Sequence, residues 1–269
     1  MSSIQFPDIL PYLLAILCLT LIWKFHDLQV KAGRIQARAF WERSGVRLFL
    51  HATPNDVLAC MVCRETTGMV FSPAVVTSKK FTPRERPCIN PKGCRCVMVG
   101  LYGGWPEATR VLEQLKAHNG RMRLTDEELR GLLEGSQHAS AGVTADRLSL
   151  RMLQAIRVEG KEPAAAIEHY RYIVNQAKEE RDRAFVISAY LRLCDLLERA
   201  GQPDEALEII ERCLLDYGAK KKGPAAPTET QRAMLENRKA HLTPLLAKET
   251  LQSSGRPSRP SATSRCACA

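Results

Sequence analysis

A long apolar run lies near the start of the chain. Residues 9–23 carry no charge, and counting back to Phe6 extends the run to 18 residues with Asp8 as its one charged interruption. A helix needs about 20 apolar residues to cross a bilayer, with a lower limit near 17. The pattern therefore predicts a transmembrane anchor over residues 6–24, through which the protein contacts the membrane.

A cleaved signal peptide and a buried core helix are the alternatives for this run. A signal peptide carries Lys or Arg before its apolar segment and small residues at a cleavage site after it. Here the first basic residue is Lys24, and the run is followed by Trp-Lys-Phe-His-Asp. Both features favour an anchor that stays attached.

Basic residues cluster directly after the predicted anchor. The positive-inside rule then places the N-terminus outside and the body in the cytoplasm, as a single-pass membrane protein. Residues 25–44 contain no Pro and only Gly33, so we expect a basic juxtamembrane helix along an anionic lipid surface or out into the cytosol. The basic residues are Lys24, Lys31, Arg34, Arg38, Arg43 and Arg47.

The next segment, residues 45–104, has a different pattern. Short β-like runs begin at Arg47 and Val97, and Pro, Gly and Thr separate them. This spacing predicts a small, loop-rich, cysteine-rich module with a few short strands.

Residues 105–218 show helical periodicity. Pro106 suits a first helical position, and Thr125 followed by Glu128 forms a capping box. A further helix is expected from about Ala145 to Val158.

The C-terminal part divides into three segments. Residues 219–228 contain three lysines before Gly-Pro and predict a solvated linker. A helix is expected over 229–250, kinked or divided at Pro244. Residues 251–269 are rich in Ser, Pro and Arg, which predicts a disordered tail.

Two stretches of the helical region echo each other. In each, a helix ends at Gly, the next begins at Pro, and a small Ala follows three residues later. The two alanines, Ala166 and Ala206, lie 40 residues apart, which is typical of helical-hairpin repeats. Each hairpin leaves one apolar face uncovered, so neighbouring hairpins must stack.

The second stretch resembles a tetratricopeptide repeat, with its large, large and small residues followed by a turn glycine and a second helix. The resemblance covers about residues 145–218; the first unit departs by a one-residue shift, and Gly218 stands where the family often has Pro. It implies a groove that binds a partner protein, and a helical bundle without a groove is the alternative. The matching residues are Tyr190, Leu193, Cys194, Gly201, Ala206, Ile210 and Cys213.

Five of the ten cysteines lie between residues 60 and 96, with the spacing C-x2-C-x24-C-x5-C-x-C. A C-x2-C turn directs two thiolates at one ion, and a second close pair completes a tetrahedron. The spacing therefore predicts a structural Zn²⁺ site formed by Cys60, Cys63, Cys94 and Cys96, with Cys88 as a substitute ligand. Arg64 and Arg95 would offset the negative charge of the thiolates.

Disulfides, redox or metal-transfer thiols and unligated cysteines are the alternatives for this cluster. A cytoplasmic location argues against disulfides, and no thioredoxin-like pattern surrounds the C-x2-C motif. Together with Gly68-Met-Val-Phe71, the cysteines resemble the cysteine module of Mu-like phage head-morphogenesis proteins. That match is short, and it implies nothing about role because the anchor and repeats do not belong to that family.

Composition adds one constraint on function. The net charge of +10 favours acidic partners such as anionic lipid, an acidic protein or nucleic acid. The few aromatic residues near the cysteines disfavour nucleic acid. No catalytic constellation or phosphate loop is recognisable, so the sequence predicts a mainly α, non-enzymatic, membrane-anchored adaptor with an unidentified protein partner. A thiol-redox or metal-handling protein and a zinc-dependent nucleic-acid binder are the alternatives.

Overall fold

The computed structural model is mainly helical and contains ten helices and four short strands within the described residues. The residues that the structure describes are 6–54, 59–83, 88–89, 94–138, 144–177, 185–218 and 229–254. The helices are α1 (Phe6–Arg43), α2 (Met61–Glu65), α3 (Pro73–Val76), α4 (Ala108–Ala117), α5 (Asp126–His138), α6 (Thr144–Val158), α7 (Pro163–Gln176), α8 (Val186–Arg199), α9 (Pro203–Tyr217) and α10 (Glu229–Ser254). The strands are β1 (Leu48–Ala52), β2 (Met69–Phe71), β3 (Val97–Leu101) and β4 (Arg121–Arg123).

Helix α1 is long and unbroken. Its 38 residues span about 57 Å at 1.5 Å per residue. Between Tyr12 and Arg43 it contains a window apolar enough to cross a membrane, and none of that window is buried in the protein. The predicted anchor and the predicted juxtamembrane helix are therefore parts of one helix, while its orientation in a membrane stays a prediction.

The four strands form one antiparallel sheet in the order β3-β1-β2-β4. The predicted runs at Arg47 and Val97 correspond to β1 and β3, which pair with Leu50 opposite Val99. Strands β2 and β4 have three residues each, too short for an alternating pattern to identify from sequence. Because β4 lies beyond residue 104, the sheet extends into the range expected to be purely helical.

Alternation along β1 places its side chains on two differently covered faces. Leu48 and Leu50 join the main core with the helices, and Phe49 points to the other face. There the end of α1 closes the sheet, since Trp41 packs edge-on against Phe40 and Phe49 with ring centroids 4.7 and 5.4 Å apart. The sheet is thus enclosed between α1 and the helical region.

The turn before α4 differs from the prediction. The helix begins at Ala108, and Pro106 lies in the preceding turn, where the Ala108 N–H donates to the Trp105 carbonyl at 3.1 Å. The Trp105 ring is buried in the core, and this burial fixes the conformation of the turn before α4. The predicted capping box of α5 is present, with the Glu128 N–H donating to Thr125 Oγ1 at 3.1 Å and the Thr125 N–H donating to Glu128 Oε2 at 2.9 Å.

Helices α6 to α10 form what we call the helical stack, in which each helix packs against the next along the chain. Ala166 and Ala206 are fully buried, and so are the apolar stripes of α8 and α9. Helix α10 runs through Pro244 without a break, so this proline does not divide it. Helix α10 continues to Ser254, so residues 251–254 of the predicted tail are helical, and the rest of that tail and the predicted linker lie outside the described residues.

Candidate metal centre

Five thiols meet at one end of the sheet, and we call them the cysteine cluster: Cys60, Cys63, Cys88, Cys94 and Cys96. The topology explains why. Strand β1 ends at Ala52 directly opposite Val97, which begins β3. The chain leaving β1 leads to Cys60 and α2, and Cys96 immediately precedes β3.

The sulfur atoms lie within contact distance of one another. Cys60 Sγ and Cys63 Sγ lie 3.4 and 3.7 Å from Cys88 Sγ, and Cys63 Sγ lies 3.6 Å from Cys94 Sγ. Cys94 Sγ and Cys96 Sγ are 2.7 Å apart. The sulfurs form two groups that share Cys63, namely Cys60, Cys63 and Cys88, and Cys63, Cys94 and Cys96, each of which could hold a metal ion. All five are free thiols.

These distances fit thiolate coordination of one ion. Zn–S bonds of about 2.3 Å place tetrahedral sulfurs about 3.8 Å apart. Three of the four separations, 3.4 to 3.7 Å, are close to that value, whereas Cys94 Sγ and Cys96 Sγ, 2.7 Å apart, would have to separate to bind the same ion. The described thiols therefore suit a four-sulfur site in which Cys94 or Cys96 joins Cys60, Cys63 and Cys88. The predicted ligand set of Cys60, Cys63, Cys94 and Cys96 stays a prediction.

The place of Cys88 differs from its predicted role as a substitute. It contacts both cysteines of the C-x2-C pair, so it is a full member of the cluster. Sequence reasoning ranked it last because it has no neighbouring cysteine as partner. The fold places Cys88 beside the C-x2-C pair although 24 residues separate it from Cys63, and spacing alone does not predict such a contact.

Helix α2 positions the C-x2-C pair. Cys60 caps the helix, and its sulfur accepts the Cys63 N–H at 3.4 Å. The Cys63 carbonyl accepts hydroxyl hydrogen bonds from Thr53 at 2.9 Å, Thr66 at 3.1 Å and Thr67 at 3.2 Å. These threonines fix the backbone of the central, buried cysteine, a role that no pattern in the sequence indicated.

The surroundings of Cys60 favour its thiolate. Partial burial acts to raise its pKa, but hydrogen bonds from Cys63, Cys88 and the Ile89 backbone outweigh burial and lower the pKa to about 7. A thiol with such a pKa is substantially ionised at neutral pH, which is the form that binds metal ions and reacts as a nucleophile.

Arg95 connects the cluster to the helical stack. Its guanidinium donates to Glu159 Oε1 at 2.8 Å and to Asp195 Oδ2 at 3.0 Å, and its side chain is 10% exposed. Its guanidinium thus pairs with carboxylates of the stack. Because Glu159 and Asp195 are shared by four arginines, the expectation that Arg95 also offsets the charge of the thiolates stays a prediction.

Glu159 is the centre of a buried network. Its side chain is fully buried and accepts hydrogen bonds from Arg192 Nε at 2.9 Å, Arg192 Nη2 and the Tyr170 hydroxyl at 3.0 Å. Burial acts to lower the pKa of Arg192, yet the Glu159 carboxylate outweighs burial and raises it. Burial, followed by the negative charge of Glu159, raises the pKa of Tyr170. We call Glu159, Asp195, Arg95, Arg192, Arg199 and Arg238 the arginine–carboxylate network.

The other described cysteines lie apart from the cluster. Cys194 and Cys213 are buried in the core, as expected for small packing residues, and burial raises both pKa values, that of Cys213 to about 12. Cys18 is exposed on α1. Cys266 and Cys268 lie outside the described residues.

Comparisons of the chain with protein-family models, with curated proteins and with solved structures find no match. The two family resemblances noted in the sequence stay predictions, and function must be argued from the geometry of this chain.

Proposed function

We propose that the protein is a membrane-anchored, non-enzymatic scaffold in which a structural zinc ion fixes the cysteine module on a helical, partner-binding stack. The observation that carries the proposal is the position of Arg95. It lies between two cysteines of the cluster and inserts its guanidinium into the carboxylates of the stack. A metal ion bound by the cysteines beside Arg95 would therefore also order the contact between the cysteine module and the helical stack.

The composition of the cluster supports zinc as the ion. Thiolates are soft ligands that select zinc, Cu(I) or iron–sulfur clusters. A module with few core residues of its own gains folding free energy from a closed four-thiolate site. We expect Cys60, Cys63 and Cys88 to supply three ligands, with Cys94 or Cys96 as the fourth.

The stacking of α6 to α10 supports a binding role for the helical region. Helices stacked in chain order form extended surfaces of the kind that repeat proteins use for partners. Leu215 on α9 is 85% exposed, which marks one apolar contact point on that surface. We propose a protein partner that presents an apolar side chain to Leu215, in line with the tetratricopeptide resemblance.

The anchor supports a membrane location. An exposed apolar helix of this length is stable in a bilayer and unfavourable in water. We propose that residues 6–24 span the membrane with the body on the cytoplasmic side, where a thiolate site stays reduced. Protease protection of each terminus in sealed vesicles tests this orientation.

Zinc content of the detergent-solubilised full chain tests the metal proposal. We expect about one zinc per chain, retained through dialysis, because four thiolates bind it tightly. An absence of metal, or a different tightly bound metal, contradicts a zinc site.

Cross-linking in native membranes tests the scaffold proposal. A partner cross-linked to the intact chain should be lost with Leu215→Asp and kept with Glu113→Gln, a change at an exposed position of α4. Equal recovery with both variants would show that the face around Leu215 does not bind.

A thiol-redox role is the second candidate function, and the lowered pKa of Cys60 favours it. The two roles differ in the state of the thiols. A redox pair forms a reversible disulfide with a measurable midpoint potential, whereas zinc-bound thiolates stay reduced and react slowly with alkylating reagents.

A further inference from the structure

Helix α1 has two different faces beyond its apolar segment. Partly covered residues recur every three or four positions, at Asp27, Val30, Arg34 and Ala37, and lead to the buried Trp41. This is the side on which α1 meets α3 and the sheet. One face of the helix is therefore occupied by the protein's own body.

The opposite face is apolar and open. Phe25, Leu28 and Ile35 are 63, 61 and 69% exposed, and Ala32 between them is exposed too. At 100° per residue these positions lie roughly 180° from the body-facing side. Their spacing of three, four and three residues is that of the a and d positions of a coiled coil. We call these four residues the heptad stripe.

The stripe continues into the apolar segment without a change of register. Leu14, Cys18 and Leu21 repeat the same spacing one and two heptads earlier, and all three are exposed. Helix α1 is unbroken from Phe6 to Arg43. Because a straight helix that crosses a bilayer cannot also lie flat on it, the membrane surface does not cover the stripe. Lipid can cover Leu14, Cys18 and Leu21 within the bilayer, whereas the stripe from Phe25 onward lies beyond the proposed span and needs a protein occupant that continues along α1.

We propose that the occupant is α1 of a second copy of this chain, packed in parallel to form a homodimer; the inference rests on the proposed membrane anchor. Anchoring in one bilayer fixes the two helices as parallel and in register, as the heptad spacing requires. The body of each chain lies on the far side of its own α1, so it leaves room for the second helix.

The charges beside the stripe are compatible with this arrangement, with one like-charged pair. In a parallel pair, a residue at position g faces the partner's residue five positions later. Lys24 then faces Gln29 of the partner subunit, and Lys31 faces Gln36 of the partner subunit, with no like charges opposed. Arg38 faces Arg43 of the partner subunit, but Glu42 pairs with Arg38 at 2.8 Å within each helix and reduces that repulsion.

Subunit counting in a bilayer tests the proposal. The full chain, fused at its C-terminus to a fluorescent protein, is reconstituted at low density in vesicles, and photobleaching steps are counted for each spot. We expect two steps for the native chain, because the part of the stripe beyond the bilayer buries its apolar side chains only in the pair.

Two substitutions distinguish the effect of a charge on the heptad stripe from the effect of a charge elsewhere on α1. Leu28→Glu places a charge on the stripe and should convert two-step spots to single-step spots. His26→Glu, an exposed position on the flank of the same turn, should retain two steps. Single steps for the native chain, or two steps for Leu28→Glu, would overturn the dimer. A chain that fails to enter vesicles would instead refute the anchor, and the dimer with it.

Discussion

The cysteine module and the helical stack are ordered by different kinds of contact. The stack buries continuous apolar stripes, with the network around Glu159 as its charged interior. The module contributes mainly the inward side chains of short strands, and its loops converge on thiols. The stack can therefore fold by apolar burial, whereas the end of the module that bears the cysteines depends on what the thiols bind.

The largest effect on the cysteine module is expected from replacing Cys63, the cysteine that belongs to both metal-binding sets. Cys63→Ser should abolish metal retention and disorder the cysteine loops, because a structural zinc site contributes about 10–16 kcal/mol of binding free energy at neutral pH. Metal analysis and hydrogen exchange over residues 59–83 measure the two effects. Cys213→Ser makes the same chemical change in the stack and should keep the metal; equal metal loss in both variants would contradict the assignment.

The second largest effect is expected inside the stack. Glu159→Gln leaves Arg192 without its carboxylate partner and leaves Arg95 paired with Asp195 alone. Losing one partner of a buried ion pair costs about 3–5 kcal/mol of unfolding free energy. Denaturant unfolding measures it. Glu168→Gln, in an exposed pair with Arg171, should cost less than about 1 kcal/mol. Similar losses for both would mean that burial of the network contributes little.

Arg95→Met tests whether the two regions are coupled. Loss of its charged hydrogen bonds should cost about 1–3 kcal/mol. More tellingly, a metal chelator should speed hydrogen exchange at residues 192–199 in the native chain and leave it unchanged in the variant. Equal acceleration in both proteins would show that the metal site and the stack communicate by another route, or that they are independent.

The smallest effect concerns acid stability. Burial acts to raise the pKa of Asp195, but Arg199, Arg95 and Arg238 outweigh it and hold that pKa below its ordinary value of 3.8. The stabilisation from this carboxylate is therefore complete above its unfolded pKa and is lost as pH falls through the lower folded pKa. Unfolding free energy measured from about pH 5 to about pH 2 should fall less steeply for Asp195→Asn than for the native chain.

The elements with long periodic patterns were predictable. The apolar run gave a membrane-length helix, the stripes of α8 and α9 gave buried helices, and the Thr125–Glu128 pattern gave a helix start. Strands β2 and β4 were not predicted, because three residues are too few to show an alternation of apolar and polar side chains. The two strands pair with each other although they are distant in sequence. The C-x2-C pair was likewise visible locally, whereas the membership of Cys88 depends on a return of the chain.

By itself, the sequence determined what depends on local order: the apolar length of α1, the helical periods, and the presence of closely spaced thiols. Tertiary structure alone decided which carboxylates Arg95 meets, since Glu159 and Asp195 lie 64 and 100 residues away from it along the chain. It also decided which side of α1 is covered and which is open. Hydrophobic spacing fixes a face of a helix, but only the packed fold determines what lies against it.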